Sequence, residues 1–178
     1  MMRRRRKLSL TNYRKRIALL KSSMPRLVVR KSNRTITVQI VRYEPRGDVV
    51  IASASSRMLN KFGWEPRANM PTAYLTGLLL AKSSSKLNLG ELVLDIGLYR
   101  PISNTVIFAA AKGAQEGGLK LRGNFEVDEK RISGAHIASY AKSLEGEAFK
   151  RQFAYNALDP KNMEEAFAST KAKIMVIS

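Results

Sequence analysis

The sequence has 178 residues, of which 32 are lysine or arginine and 14 are aspartate or glutamate, so its net charge is +18. It contains no cysteine, which excludes disulfide bonds, thiolate metal sites and a cysteine nucleophile. The most apolar stretch, Ala73–Ala81, is too short to span a bilayer, so we expect a soluble, intracellular protein without a membrane partner. The charge excess favours a polyanionic partner, most commonly nucleic acid.

The cationic excess lies almost entirely at one end of the chain. Residues 1–46 hold fifteen basic residues and one acidic residue, Glu44, which gives +14 and leaves +4 for the remainder. Met1–Lys7 is a basic run that can bury nothing, so by itself it is expected to be disordered. This uneven distribution predicts an interaction arm joined to an ordinary folded body.

A short helix is predicted directly after the arm. Thr11 is expected to cap it, and Pro25 to end the segment. Its apolar residues fall at helical spacing and so share one face, while the neighbouring cations point elsewhere. The residues of this apolar face are Tyr13, Ile17 and Leu20.

Three strands are predicted next, at Leu27–Lys31, Arg34–Tyr43 and Val49–Ala54, joined by tight turns. In the second strand β-branched residues alternate with polar ones, so one face is expected to be buried and the other free. The third strand is expected to run antiparallel to the second.

Helices and one further strand follow the three strands. The predicted elements are a short helix capped by Ser55 or Ser56 and closed by Gly63, a helix from Pro71 to Lys82, a buried strand at Leu92–Ile96, and a helix from Asn104 to Gly117–Gly118. This order predicts an α/β fold with a mixed sheet, built from an N-terminal antiparallel meander and one β-α crossover, with helices packed on the sheet.

The chain is predicted to divide into a basic RNA-binding arm with the short helix, an α/β core domain and a C-terminal extension, over residues 1–24, 25–122 and 123–178. Within the extension, 124–132 is polar and loop-like. Asp159–Pro160 predicts the start of a helix, because proline suits the first helical position. We expect the extension to be helical and to pack on the body or on a neighbour.

The arm, the short helix and the first hairpin carry the candidate RNA-binding residues. Arginine and lysine release condensed counterions when they neutralise phosphates, and hydroxyl and amide groups can bond the ribose 2′-hydroxyl. A solvated tail or an organellar targeting segment is the alternative for the arm. The candidates are Arg3, Arg4, Arg5, Arg6, Lys7, Tyr13, Arg14, Lys15, Arg16, Arg30, Lys31, Ser32, Asn33, Arg34, Thr35, Thr37 and Gln39.

Catalytic motifs are scarce, so we expect no enzyme, no cofactor, no metal and no small-molecule substrate. A metal-dependent nuclease needs several convergent carboxylates. Asp48 falls in a predicted turn, and Asp95 is expected to bond a nearby backbone group or an arginine. The single histidine, His136, has no evident acidic partner. Trp64, which follows a helix-ending glycine, is expected to belong to the core rather than to stack on a base.

A series of segments in order along the chain resembles the archaeal form of the 5S-rRNA-binding protein family of the large ribosomal subunit, the L-eighteen family. No single motif is diagnostic, but the ordered series is specific, and the segment after Gly123 favours the archaeal type over the bacterial one. The matching segments are Arg3–Arg6, Thr11–Arg16, Arg30–Asn33, Gly47–Asp48, Ala52–Ser56, Gly63–Trp64, Asn69–Leu79, Leu94–Leu98 and Gly134–Ile137.

The resemblance implies a structural, non-enzymatic protein that resides in the cytoplasm, in the ribosome. It implies an α/β domain at the central protuberance that holds 5S rRNA against large-subunit rRNA, beside neighbouring large-subunit ribosomal proteins. The arm and the sheet region are implied to contact RNA. A general nucleic-acid-binding or RNA-chaperone module remains the alternative function.

Overall fold

The computed structural model describes Leu8 and residues 11–144, 146–154 and 158–177. The predicted arm, Met1–Lys7, lies outside the described residues. The strands are β1 (Arg26–Lys31), β2 (Ile36–Glu44), β3 (Gly47–Ser55), β4 (Glu91–Asp95) and β5 (Lys120–Arg122). The α-helices are α1 (Tyr13–Leu20), α2 (Met70–Ser83), α3 (Val106–Glu116), α4 (Glu129–Ser133), α5 (Ala135–Ser143), α6 (Gly146–Phe153) and α7 (Met163–Met175).

The five strands form one mixed sheet in the order β3-β2-β1-β4-β5. β1, β2 and β3 pair antiparallel, whereas β1 with β4 and β4 with β5 pair parallel. The predicted α/β fold, with an antiparallel meander followed by a crossover, is therefore confirmed. β5 was not predicted, because three residues are too few to show the alternation that identifies a strand.

Helices α2 and α3 pack on one face of the sheet, α2 against β2 and β3 and α3 against β1 and β5. The predicted alternation in β2 is confirmed, since Ile36, Val38 and Ile40 are fully buried while Thr37 and Gln39 are partly exposed. On the opposite side of β2, Thr37 and Gln39 therefore present polar side chains, as expected for a strand with one buried face.

α2 and α3 approach each other closely at two glycines. A Cβ atom on Gly77 would lie 2.0 Å from the carbonyl oxygen of Ala110, and one on Gly113 would lie 2.1 Å from that of Tyr74. Only hydrogen fits at these positions, so backbone packs directly on backbone. This contact brings the crossover helix α3 down onto the same core as α2.

Several predicted helix starts are off by one residue. Asn12, not Thr11, caps α1, because its side chain accepts a hydrogen bond from the Lys15 N–H at 3.1 Å. Thr105, not Asn104, caps α3, since Asn104 itself has a left-handed φ of +57°. The short helix after β3 is a 3₁₀-helix, Ser56–Phe62, closed as predicted by Gly63.

The segment after residue 122 shares the core of the sheet domain. Residues 124–132 were predicted to be loop-like, but Phe125 and Val127 are buried there and α4 begins at Glu129. The predicted start at Asp159–Pro160 is a 3₁₀-turn that leads into α7.

Phe167 of α7 packs against Trp64 and Tyr74, with ring centroids 6.2 and 5.5 Å away. The three-part division of the chain stays a prediction.

Over the described ranges, no helix combines the length and the apolar character that crossing a bilayer requires.

Candidate RNA interface

The predicted interface residues fall on three parts of the chain, of which the arm, Arg3 to Lys7, lies outside the described residues. In α1, Arg14 and Lys15 are exposed. Arg16 is partly covered and forms an ion pair with Asp48, with 2.8 Å between Nη2 and Oδ2. Tyr13 is half-buried. Of the three predicted cations of α1, two are therefore exposed and one is paired within the protein.

The turn between β1 and β2 uses its hydroxyl groups internally. The Thr35 N–H donates to Ser32 Oγ at 3.0 Å, and the two hydroxyl oxygens lie 2.7 Å apart. The Ser32 N–H donates to the Thr35 carbonyl at 2.8 Å. Lys31, Asn33 and Arg34 remain exposed around this turn. The structure therefore separates the predicted hairpin residues into two that shape the turn and three that project from it.

Arg30 is held rigidly although 46% of its side chain is exposed. Nη1 donates to the carbonyl oxygens of Val29 and Asp95 at 2.8 and 2.7 Å. Nη2 donates to Asp95 Oδ1 at 2.8 Å. Below the guanidinium lies Gly97, where a Cβ atom would come within 3.1 Å of Arg30 Cζ. Three of its five N–H groups are thus bonded inside the protein, and its plane is fixed over a glycine.

Asp95 sits at the centre of this network. Burial raises the pKa of its carboxyl, but the hydrogen bond and charge of Arg30, the N–H of Gly97 and the charge of Arg26 outweigh that effect and hold the pKa below its usual value. The expectation that Asp95 bonds a backbone group or an arginine is confirmed, because it does both. Its ionised form is part of the folded structure.

Arg26 lies buried behind the candidate interface, and the sequence reasoning did not select it. Only 2% of its side chain is exposed, and its Nη1 and Nη2 lie 2.8 Å from Asp95 Oδ2 and Asp48 Oδ2. Among the described residues, neither Nε nor Nη2 has a hydrogen-bond partner, so the contact of Nη2 with Asp48 is an ion pair only. A usable signal was present, since Arg26 directly precedes the apolar run Leu27–Val29 and Asp95 directly follows the apolar run Leu92–Leu94, and charges buried beside such runs are normally paired.

One cleft gathers predicted cations from α1 and β1. It lies between α1, the end of β1 and the loop after β4, and has a volume of about 420 Å³. Its basic residues are Lys15, Arg16, Arg30 and Lys31. Its apolar and aromatic walls come from Leu19, Ile96, Leu98 and Tyr99. Two elements that are separate in sequence therefore present their positive charges to the same space.

The remaining predicted residues lie beside this cleft. Asn33 and Arg34 line a second concavity with Lys31 and the loop of residues 65–69. Thr37 pairs with Arg30 across the β1–β2 ladder. Gln39 donates to Ser53 Oγ at 3.3 Å on the same face of the sheet. Lys31 lines both concavities and so connects them.

Asp48 and Asp95, the carboxylates considered for a nuclease, both pair with Arg26. In the part of the chain that the structure describes, no group of three histidine, cysteine or acidic residues could hold a metal ion. Asp48 was predicted in a turn, but it lies in β3, because the turn before it is only two residues long.

Trp64 belongs to the core, as predicted, because it is 1% exposed and its indole N–H donates to Thr72 Oγ1 at 2.9 Å. His136 lies exposed on α5, outside the cleft.

Comparison with known proteins identifies the family of the chain. A profile of the family described as ribosomal large subunit proteins 60S L5 and 50S L18 matches residues 1–92. Large ribosomal subunit protein uL18 of Thermofilum pendens (strain DSM 2475 / Hrk 5) is 46% identical over 179 residues, which cover 96% of this chain and 91% of the relative. The chain belongs to this family of large-subunit ribosomal proteins.

The family membership confirms the resemblance to the archaeal type that the sequence segments indicate. It makes the chain a structural constituent of the large ribosomal subunit rather than an enzyme, with ribosomal RNA and ribosomal proteins as its partners. The partners of the family therefore include ribosomal RNA, a polyanion of the kind that the cationic cleft and the exposed cations of the β1–β2 turn suit.

Proposed function

We propose that the chain binds 5S rRNA and anchors it to large-subunit rRNA at the central protuberance. The arm, α1 and the β1–β2 hairpin form the contact surface in this proposal, with the predicted site residues touching RNA. The observation that carries the proposal is the convergence of Lys15, Arg16, Arg30 and Lys31 on one cleft. Nearby cations concentrate positive potential, which attracts a folded polyphosphate and lets several phosphates bind together.

The acids of this surface support the same proposal. Asp48 and Asp95 are the carboxylates beside the cleft, and each is bonded to arginine. Their negative charge is thereby balanced, so they do not repel phosphates from the neighbouring lysines. The positive net charge of residues 1–46 can then attract RNA phosphates, because it is offset by little negative charge.

Salt-dependent binding tests this proposal. Log affinity for 5S rRNA should fall with log salt with a slope of several units, because each neutralised phosphate releases roughly 0.7–0.9 counterions. The double variant Lys15→Gln, Lys31→Gln should lower the slope by about 1.5. The matched control Lys142→Gln, Lys150→Gln removes two exposed cations of α5 and α6 and should leave the slope unchanged. A flat salt response of the unaltered protein would contradict the proposal.

A general nucleic-acid-binding or chaperone module is the alternative. Such a module relies on phosphates alone, so it would bind duplex DNA and 5S rRNA equally well. A competition gel with labelled 5S rRNA separates the two cases. We expect unlabelled 5S rRNA to compete at concentrations far lower than those of a duplex DNA of equal phosphate content.

A further inference from the structure

The cleft between α1 and the loop after β4 contains more than positive charge. A surface that binds phosphates alone needs only exposed cations, yet four of the residues that line this cleft are aliphatic or aromatic. Leu98 and Tyr99 are 57% and 43% exposed, so their apolar surface faces outward instead of filling the core. Apolar walls beside lysines suit a ligand with one flat apolar part and one anionic part.

Arg30 presents a flat face to this cleft. Three of its N–H groups are bonded to Val29 and Asp95, so the edge that would grip a phosphate is largely occupied. Gly97 lies against one side of the guanidinium plane, while nearly half of the side chain stays exposed. A guanidinium fixed in this way has its other side free for stacking, which arginine shares with aromatic rings.

Tyr99 is the second flat side chain of the cleft. Its hydroxyl donates to the Lys31 carbonyl at 3.0 Å, which ties the ring to the end of β1. Lys15 and Lys31 line the cleft and are exposed. Stacking surfaces and phosphate-binding cations therefore occur together in one concavity of about 420 Å³, a size typical of sites for small ligands.

We propose that this cleft takes one unpaired nucleotide of the ribosomal RNA. The base stacks on the Arg30 guanidinium and against Tyr99, and its phosphate lies by Lys15 and Lys31. A nucleotide within a duplex cannot enter, because its base is stacked and paired inside the helix. This inference deepens the proposed function, since it rests on the same RNA-binding surface and specifies the form of RNA that the surface selects.

Arginine and tyrosine variants separate stacking from phosphate binding. Arg30→Lys keeps the charge and loses the plane, and Tyr99→Leu keeps the apolar volume and loses the ring. Each should weaken rRNA binding about tenfold, in line with the loss of one base-stacking contact, without changing the salt slope. Tyr99→Phe retains the ring and should bind nearly as well as the unaltered protein.

Tyr43 offers a matched control. It is 50% exposed, lies on β2 and does not line the cleft, so Tyr43→Leu should leave affinity unchanged. The unfolding midpoint of each variant shows whether Arg30→Lys weakens binding by destabilising the hydrogen bonds around Asp95. If it does, Tyr99→Leu still tests stacking, because the Tyr99 hydroxyl bonds the Lys31 carbonyl and not Asp95. Normal binding by both Arg30→Lys and Tyr99→Leu would overturn the cleft proposal.

Ultraviolet cross-linking supplies a direct readout. A base stacked on Tyr99 should give a cross-linked peptide that contains residue 99 and carries a nucleotide that is unpaired in the RNA. The titrations and the cross-linking are repeated with large-subunit rRNA. If the protein binds large-subunit rRNA but not 5S rRNA, the proposed function is contradicted. If it binds either rRNA without a cross-link at Tyr99, the proposal that the cleft takes a nucleotide is contradicted.

Discussion

Arg26 donates a hydrogen bond of 2.8 Å to Asp95 from a position where only 2% of its side chain is exposed. The two residues are 69 positions apart in sequence, and their strands pair parallel in the centre of the sheet. Asp95 also fixes Arg30, which lines the candidate RNA cleft. The same carboxylate thus takes part in the central ion pair of the sheet and fixes a side chain of the candidate RNA cleft.

Replacing Asp95 with asparagine should destabilise the fold by about 3 kcal/mol, because the loss of one partner leaves a buried charge poorly compensated. The free energy of unfolding in urea measures the effect. Glu91→Gln is the matched control, since Glu91 lies on the same strand but is exposed, and it should change stability by less than about 0.5 kcal/mol. Equal effects of the two substitutions would count against the role of the pair.

The difference in stability between the unaltered protein and Asp95→Asn should depend on pH. The folded structure lowers the pKa of Asp95, so its ionised form contributes stability that is present above the unfolded pKa of about 3.9. That contribution is lost as the pH falls below about 4 toward the folded pKa. Unfolding curves at pH 6 and pH 3 should show the difference narrowing, whereas a constant difference would exclude this linkage.

Gly77→Ala should destabilise the protein by about 3 kcal/mol. At a solvent-exposed helix position the same substitution stabilises by about 1 kcal/mol. The sign of the change in the free energy of unfolding therefore shows whether the position is closely packed. Here the new methyl group would meet the Ala110 carbonyl oxygen of the facing helix, which cannot move without shifting the backbone. Thermal unfolding measures the change, and Gln115→Ala, an exposed position on α3, should be nearly neutral.

Phe167→Ala should destabilise the sheet domain as well as the C-terminal helix, by about 3 kcal/mol. Phe167 contacts Trp64 and Tyr74, which belong to the core between the helices and the sheet. Tryptophan fluorescence and circular dichroism should therefore report a single transition at a lower denaturant concentration. Met175→Ala, at an exposed position of the same helix, should leave the transition unchanged. Two separate transitions would mean that α7 folds independently.

Deleting residues 1–7 should weaken rRNA binding by orders of magnitude and leave the stability of the described body unchanged. The deletion removes five cations, which should reduce the salt slope by up to roughly 4 units if each contacts a phosphate. Replacing the same five cations with glutamine should reproduce the loss. Unchanged affinity after the deletion would show that the body alone binds the RNA.

The sequence by itself determined the sheet meander, the crossover and the location of the cations. These depend on local patterns, because alternation in β2 and the stop at Gly63 need no distant partner. Cations cluster in the first third of the chain whatever the fold, so a polyanionic partner follows from the residues alone. The ordered segments of the L-eighteen type likewise indicate the family through residue identity and order, which do not depend on the fold.

Only the tertiary structure decided which of these cations are paired with carboxylates within the protein. Arg16 and Arg30 look equivalent to Lys15 and Lys31 in sequence, yet the fold places Asp48 beside Arg16 and Asp95 beside Arg30, and each arginine forms an ion pair with its carboxylate. The short strand β5 and the buried Phe167 likewise depend on contacts between distant segments. These contacts join residues that are far apart in sequence, so no local sequence pattern predicts them.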